Sequence, residues 1–144
     1  MTKEGTSFAY WALRLVFGLV PIVAGLDKFT NLLADWEGYL SPLALRLLPM
    51  SPGTFMAIVG IVEIAVGVGV LAGWARVFGW IAGAWLLAIA VNLVLTGEYF
   101  DVAVRDVALA VSAFVLARLA PLHERVAHAE RRETVAGREA RAHV

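Results

Sequence analysis

At 144 residues, with 60% hydrophobic and 17% charged, the chain lies outside the range of a soluble globular domain, roughly 45–50% and about 25%. That composition supports a single membrane domain. Net charge is zero with no basic soluble face, so nucleic acid is not an expected partner, and the lack of cysteine excludes disulfide staples, thiolate metal sites and thiol redox chemistry.

The first predicted element covers residues 8–29, FAYWALRLVFGLVPIVAGLDKF, with a span expected over residues 7–26. It meets the ~20 residues needed to cross a hydrocarbon core. Arg14, Gly18, Pro21, Gly25 and Lys28 recur at steps of four, three, four and three, so they share one helical face. A stripe of charge and small residues is built to face other helices. Arg14 lies near the start of the span, where its long side chain can snorkel to the headgroups. It also interrupts the apolar run, and no small-x-small site follows closely, so the segment is expected to be retained as a span.

Residues 30–53 form a connection too long for a tight turn, holding Trp36, Tyr39, Pro42, Pro49 and Pro52. Its apolar run, residues 43–48, is too short to span. It is read as a short interfacial or re-entrant helix, with the aromatics at headgroup depth. Further spans are expected over residues 54–73, 77–95 and 102–119. The second and third are joined only by Trp74, Ala75 and Arg76, which makes them a tight antiparallel hairpin. Residues 1–120 then form one membrane domain and residues 121–144 a charged, alanine-rich tail, expected as a solvated helix extension or a frayed end.

With four spans the termini and the Trp74–Arg76 turn share a side holding Lys3, Arg76, Arg118, Arg125, Arg131 and Arg132. The other side carries Lys28, Arg46 and Arg105 among six carboxylates. The positive-inside rule places both termini of this multi-pass protein in the cytoplasm.

Charged groups at membrane depth cost at least ~2.5–3.5 kcal/mol on insertion scales, so each needs a partner, water or an escape. Glu63 falls near the midplane of the second span and is too short to snorkel. It shares a face with Gly60 and Gly67, so it is expected to point between helices, either protonated or paired with a cation. Asn92, in line with Trp85, Ala88 and Thr96, suits an interhelical hydrogen bond or a ligand contact. Arg105 and Asp106 open the fourth span, level with Asp27 and Lys28. Asp106 sits where the helix dipole favours an anion, and the two charge pairs could lock the first and fourth helices together. Asp27, Lys28, Asn92, Arg105 and Asp106 over Glu63 make a polar pocket in the outer half, suited to an oxygen-bearing ligand such as a quinone head group or a small anion. His123, His128 and His143 all lie in the tail, so a bis-histidine haem among the spans is not available, and no metal-ligand set or phosphate loop is present.

LRLVFGLVPIVAGLDKF in the first span, VEIAVGVGVLAGWARVFG across the hairpin and VRDVALAVSAFVLARL in the fourth resemble the DoxX family of small four-helix bacterial membrane proteins, from about Trp11 to Leu119. The resemblance implies an all-α, integral membrane, four-helix up-and-down bundle. It marks Arg14, Lys28, Glu63, Arg105 and Asp106 as the family-like polar set. Relatives include the small membrane subunit of a thiosulfate:quinone oxidoreductase, so it also implies a subunit or accessory of a quinone-linked redox system. On that reading quinone is a non-covalent cofactor, Glu63 is the candidate proton carrier, and the partners are membrane lipid with a redox subunit or further copies of the chain. Related four-helix families perform thiol chemistry through cysteines that this chain lacks, which argues against disulfide exchange. A non-enzymatic scaffold or assembly factor, and less readily a small-solute transporter, stay open as alternatives.

Overall fold

Five α-helices account for most of residues 3–142, the part of the chain described by the computed structural model, and no strand occurs among these residues. The helices are α1 (Lys3–Asp27), α2 (Pro42–Leu47), α3 (Pro52–Leu71), α4 (Ala75–Thr96) and α5 (Phe100–Ala142). Among the described residues, three regions are long and apolar enough to cross a membrane: Gly5–Asp27, Pro52–Leu71 and Ala75–Thr96. The chain is therefore an all-helical protein with apolar membrane-type helices. The expected fourth span lies within α5. That helix runs on through Pro121 into the residues expected as a tail, so tail and span are one element. His143 lies outside the described residues.

Local chemistry sets the boundaries. Ser41 and Ser51 cap α2 and α3, each accepting a backbone N–H through its hydroxyl, from Ala44 at 3.1 Å and Thr54 at 3.2 Å. A proline follows each cap at the first helical position, where its missing N–H costs nothing. Helix α3 ends with Gly73 at φ +110°, which lets Trp74 N–H return to the Gly69 carbonyl at 3.1 Å. The turn therefore closes by Trp74, and Ala75 and Arg76, expected in the connection, already belong to α4. Gly97 at φ +81° ends α4 in the same left-handed conformation.

The four long helices close a ring in which α1 packs on α3, α3 on α4, α4 on α5 and α5 on α1, with α1–α3 and α4–α5 the most extensive pairings. Small residues make both pairings. A Cβ on Gly25 would lie 2.5 Å from the Gly60 carbonyl oxygen, and one on Gly60 would lie 2.6 Å from that of Gly25. Gly67 meets the Gly18 carbonyl in the same way, so α1 and α3 touch backbone to backbone along the predicted stripe. Across the ring, Gly79 lies against the Ala113 carbonyl and Ala117, while Ala82, Ala110 and Ala113 are buried nearby. Leu15, Leu19, Val23, Ile61, Val91 and Val104 point outward and are exposed. Water would not favour this apolar exterior, whereas acyl chains would.

Candidate functional site

The two ends of the helices differ. One, the hairpin end, carries the α3–α4 turn and the start of α1; the other, the loop end, carries residues 28–51 and 97–99. Lys28 follows the last residue of α1 at the loop end, and its stripe faces α3. Its Nζ donates to Glu63 Oε2 at 2.6 Å, with the two side chains 4% and 11% exposed. Glu63 is one turn from Gly60, so the glycine contact that brings the backbones together also sets the lysine over the carboxylate. Of the two expectations for Glu63, the structure has the cation-paired one.

The pair has a roof. The Lys28 ammonium lies 3.6 Å from the centroid of the Trp36 ring, within cation–π range. Trp36 is held there by Asp27, whose carboxylate accepts the indole N–H at 2.8 Å. The same carboxylate accepts the backbone N–H groups of Leu32 at 2.9 Å and Leu33 at 3.0 Å and the Thr30 hydroxyl at 3.0 Å. With Asn31 at φ 50° completing the bend, Asp27 folds the start of the loop back over the helices. Asn92 does the same for the far end of the loop. It accepts from the Ser41 backbone N–H at 3.0 Å and donates to the Tyr39 carbonyl at 2.7 Å. Asp27 and Asn92 are thus two pins for one loop, and Trp36 is carried between them.

On its inner side the pair meets α4 and α5. The buried Nε1 of Trp85 is turned toward the Glu63 carboxylate, and no acceptor among the described residues meets it at full hydrogen-bond geometry. Asp106, 6% exposed, is close enough to Glu63 for the two charges to interact. The nearest cation to Asp106 is Arg105 on its own helix, at 3.6 Å, and that side chain is 67% exposed. Two carboxylates and one ammonium are therefore gathered under the loop, with a second cation outside. The charge pairs expected to lock α1 to α5 instead run from α1 to α3 and within α5.

Residues expected to line one pocket consequently divide. Lys28, Glu63 and Asp106 come together in the interior; Asp27 and Asn92 spend their hydrogen bonds on the loop; Arg105 lies on the surface. Arg14 is at the opposite, hairpin end. Its guanidinium donates to the carbonyls of Leu71 at 2.7 Å and Val70 at 3.1 Å and to the Tyr10 hydroxyl at 3.2 Å. It caps the last turn of α3, which has no basic residue of its own, so the side chain reaches toward the hairpin end and finds its partners there in the α3 backbone. His123, placed in the tail by sequence, stacks on Tyr10 with centroids 4.3 Å apart and so joins the same cluster. Trp36 and Trp85, the aromatic members of the loop-end site, carry no charge signal at membrane depth. Their only signals were an aromatic in a long loop and a tryptophan in line with Asn92.

Arranged this way, the site holds the Lys28 ammonium on the Glu63 carboxylate out of water, with the charge of Asp106 close to Glu63. Among the described residues no group of three or more histidine, cysteine, aspartate or glutamate side chains is placed to hold a metal. Compared with known families, the chain matches the family model described as DoxX over residues 9–96, more than half its length. The match takes in α1, α2, α3 and α4, with Lys28, Glu63 and Asn92, and stops short of Arg105 and Asp106. Comparison with curated proteins and with solved structures gave no match.

Proposed function

The chain belongs to the DoxX family, and from that premise we propose that it is an integral membrane subunit or accessory of a quinone-linked redox system, with Glu63 as its proton carrier. In this reading α1, α3, α4 and α5 all cross a bacterial inner membrane as an up-and-down bundle with both termini in the cytoplasm. The connection of residues 30–51, with α2, lies at the outer interface. The observation that carries the proposal is the buried Lys28–Glu63 pair beneath Trp36. A charged pair at this depth is expensive, and the apolar substitutes available at both positions would not hold a proton. Lys28 and Asp106 adjust the charge around Glu63, and Arg105 stands at the outer mouth. A quinone carbonyl would reach Lys28 once the Trp36 loop moves aside.

Quenching of Trp36 and Trp85 fluorescence by added ubiquinone or menaquinone analogues in the purified protein tests this. Saturable quenching that Glu63→Gln weakens at least about tenfold, roughly the 1.4 kcal/mol of one hydrogen bond to a charged group, supports it. No quenching, or quenching indifferent to Glu63→Gln, sinks it. A second reading is favoured by a specific observation: Arg14, Asp27 and Asn92 are satisfied by the chain's own backbone, as in a scaffold whose polar groups hold its shape. It expects the Lys28→Met/Glu63→Leu double variant, which leaves no buried charge unpaired, to keep both the fold and the copurification of a partner subunit.

A further inference from the structure

The exterior has one feature that the loop-end site does not use: an open groove between α4 and α5 at the hairpin end, lined by Trp80, Val111, Phe114, Val115, Arg118 and Leu122. Its floor is apolar. The Trp80 and Phe114 rings meet with centroids 5.0 Å apart, and the Arg118 guanidinium lies over Trp80 at 5.6 Å from its centroid. The charges around this groove have one sign. On α5, residues 111, 115, 118, 122 and 125 follow steps of four, three, four and three, so Arg125 continues the groove's own stripe about 10 Å beyond Arg118. Glu124 falls on the other side of the helix. On α4, Arg76 precedes Trp80 by one turn and is exposed. Because Gly79 lies against Ala113 and Ala117 in this antiparallel pair, Arg76 comes level with Arg118.

We infer that this groove is a site for an anionic phospholipid. One acyl chain lies along Val111, Val115 and Phe114, and the phosphate sits between Arg76 and Arg118, within reach of Arg125. Charge complementarity selects this occupant. A second copy of the chain would bring the same arginines to the contact and repel, while a zwitterionic lipid brings its own cation with its phosphate and leaves the positive charge of the arginines uncompensated. The inference rests on the proposed placement of α5 in the membrane and is independent of any quinone chemistry.

Native mass spectrometry of the full chain, titrated with dioleoyl phosphatidylglycerol and with dioleoyl phosphatidylcholine, supplies the test. Two arginines near an anionic headgroup correspond to a preference for phosphatidylglycerol of about thirtyfold. Arg76→Gln with Arg118→Gln should bring it within about threefold, and Val115→Trp, which fills the floor, should weaken both lipids. Equal binding of the two lipids, or a preference that survives the double substitution, overturns the proposal. So does concentration-dependent dimerisation that buries the groove. Since the chain has no cysteine, a bimane placed on Val111→Cys reports the placement of α5 separately. Quenching by a nitroxide lipid and not by iodide establishes the placement, so a missing lipid preference then refutes the site alone. Quenching by iodide instead refutes both.

Discussion

Removing Lys28 alone should cost more than removing Lys28 and Glu63 together. The two groups lie 2.6 Å apart with almost no exposure, so neither can recover hydration when the other is deleted. At an effective dielectric of about 20 the gross attraction at that distance is about 6 kcal/mol. Desolvating each ion offsets several kcal/mol of it, which leaves the intact pair near neutral against an apolar isostere. Deleting one partner leaves the desolvation of the other uncompensated, at about 3–5 kcal/mol. Lys28→Met should therefore destabilise by that amount, with Glu63 left beside the like charge of Asp106. Glu63→Leu should cost about as much, and Lys28→Met/Glu63→Leu should lie within about 1 kcal/mol of the wild type. Reversible unfolding in mixed micelles titrated with dodecyl sulfate, followed by helical circular dichroism, measures all four corners of the cycle. Single substitutions costing under about 1 kcal/mol, or a double equal to their sum, would refute the reasoning that the pair is dry and mutually dependent. The double variant also separates folding from function, because it should keep the fold and lose any proton-coupled activity.

Other expectations follow from the same contacts. Gly60→Ala places a methyl against the Gly25 backbone, so α1 and α3 must separate at a cost of about 1–3 kcal/mol, seen as a lower dodecyl sulfate midpoint. Asn92→Leu leaves the Tyr39 carbonyl and Ser41 N–H without partners, about 1–3 kcal/mol, and should speed protease cleavage within residues 30–50 while the long helices stay intact. Arg14→Met removes two charged hydrogen bonds to the end of α3 and should cost about 1.5–3 kcal/mol, with faster amide exchange around residues 70–74 and no change near Lys28.

The scaffold and redox readings place different demands on the loop. If the site serves only to hold the helices together, Trp36 is a cover and should tolerate replacement by another large apolar residue. If a ligand reaches Lys28, the cover must open, and the hydrogen bonds of Asp27 and Asn92 set how readily it does so. Trp36→Phe tests this: it keeps the ring over the ammonium but removes the N–H that ties it to Asp27.

Sequence by itself determined the helices and their faces, because both depend on the chain's local period. Arg14, Gly18, Gly25 and Lys28 all turn toward α3, and Gly60, Glu63 and Gly67 turn back toward them, as the 3.6-residue repeat requires. The apolar lengths marked α1, α3 and α4, and the buried carboxylate of Glu63 was conspicuous because nothing near it in the chain could neutralise it. Tertiary structure alone decided which partner each polar group took. A lysine side chain reaches several ångströms, so at the end of α1 it had Glu63, Asp106 and the headgroups all in prospect, and the glycine contact between α1 and α3 selected Glu63. Asp27 and Lys28 are adjacent in sequence yet diverge, one into the loop and one into the interior, since successive residues at a helix end point about 100° apart. Trp36 and His123 read from composition as a loop and a tail residue, and packing brings Trp36 back over Lys28 and His123 onto Tyr10 of another helix. Periodicity records which way a residue points, but only the assembled helices determine what it meets there.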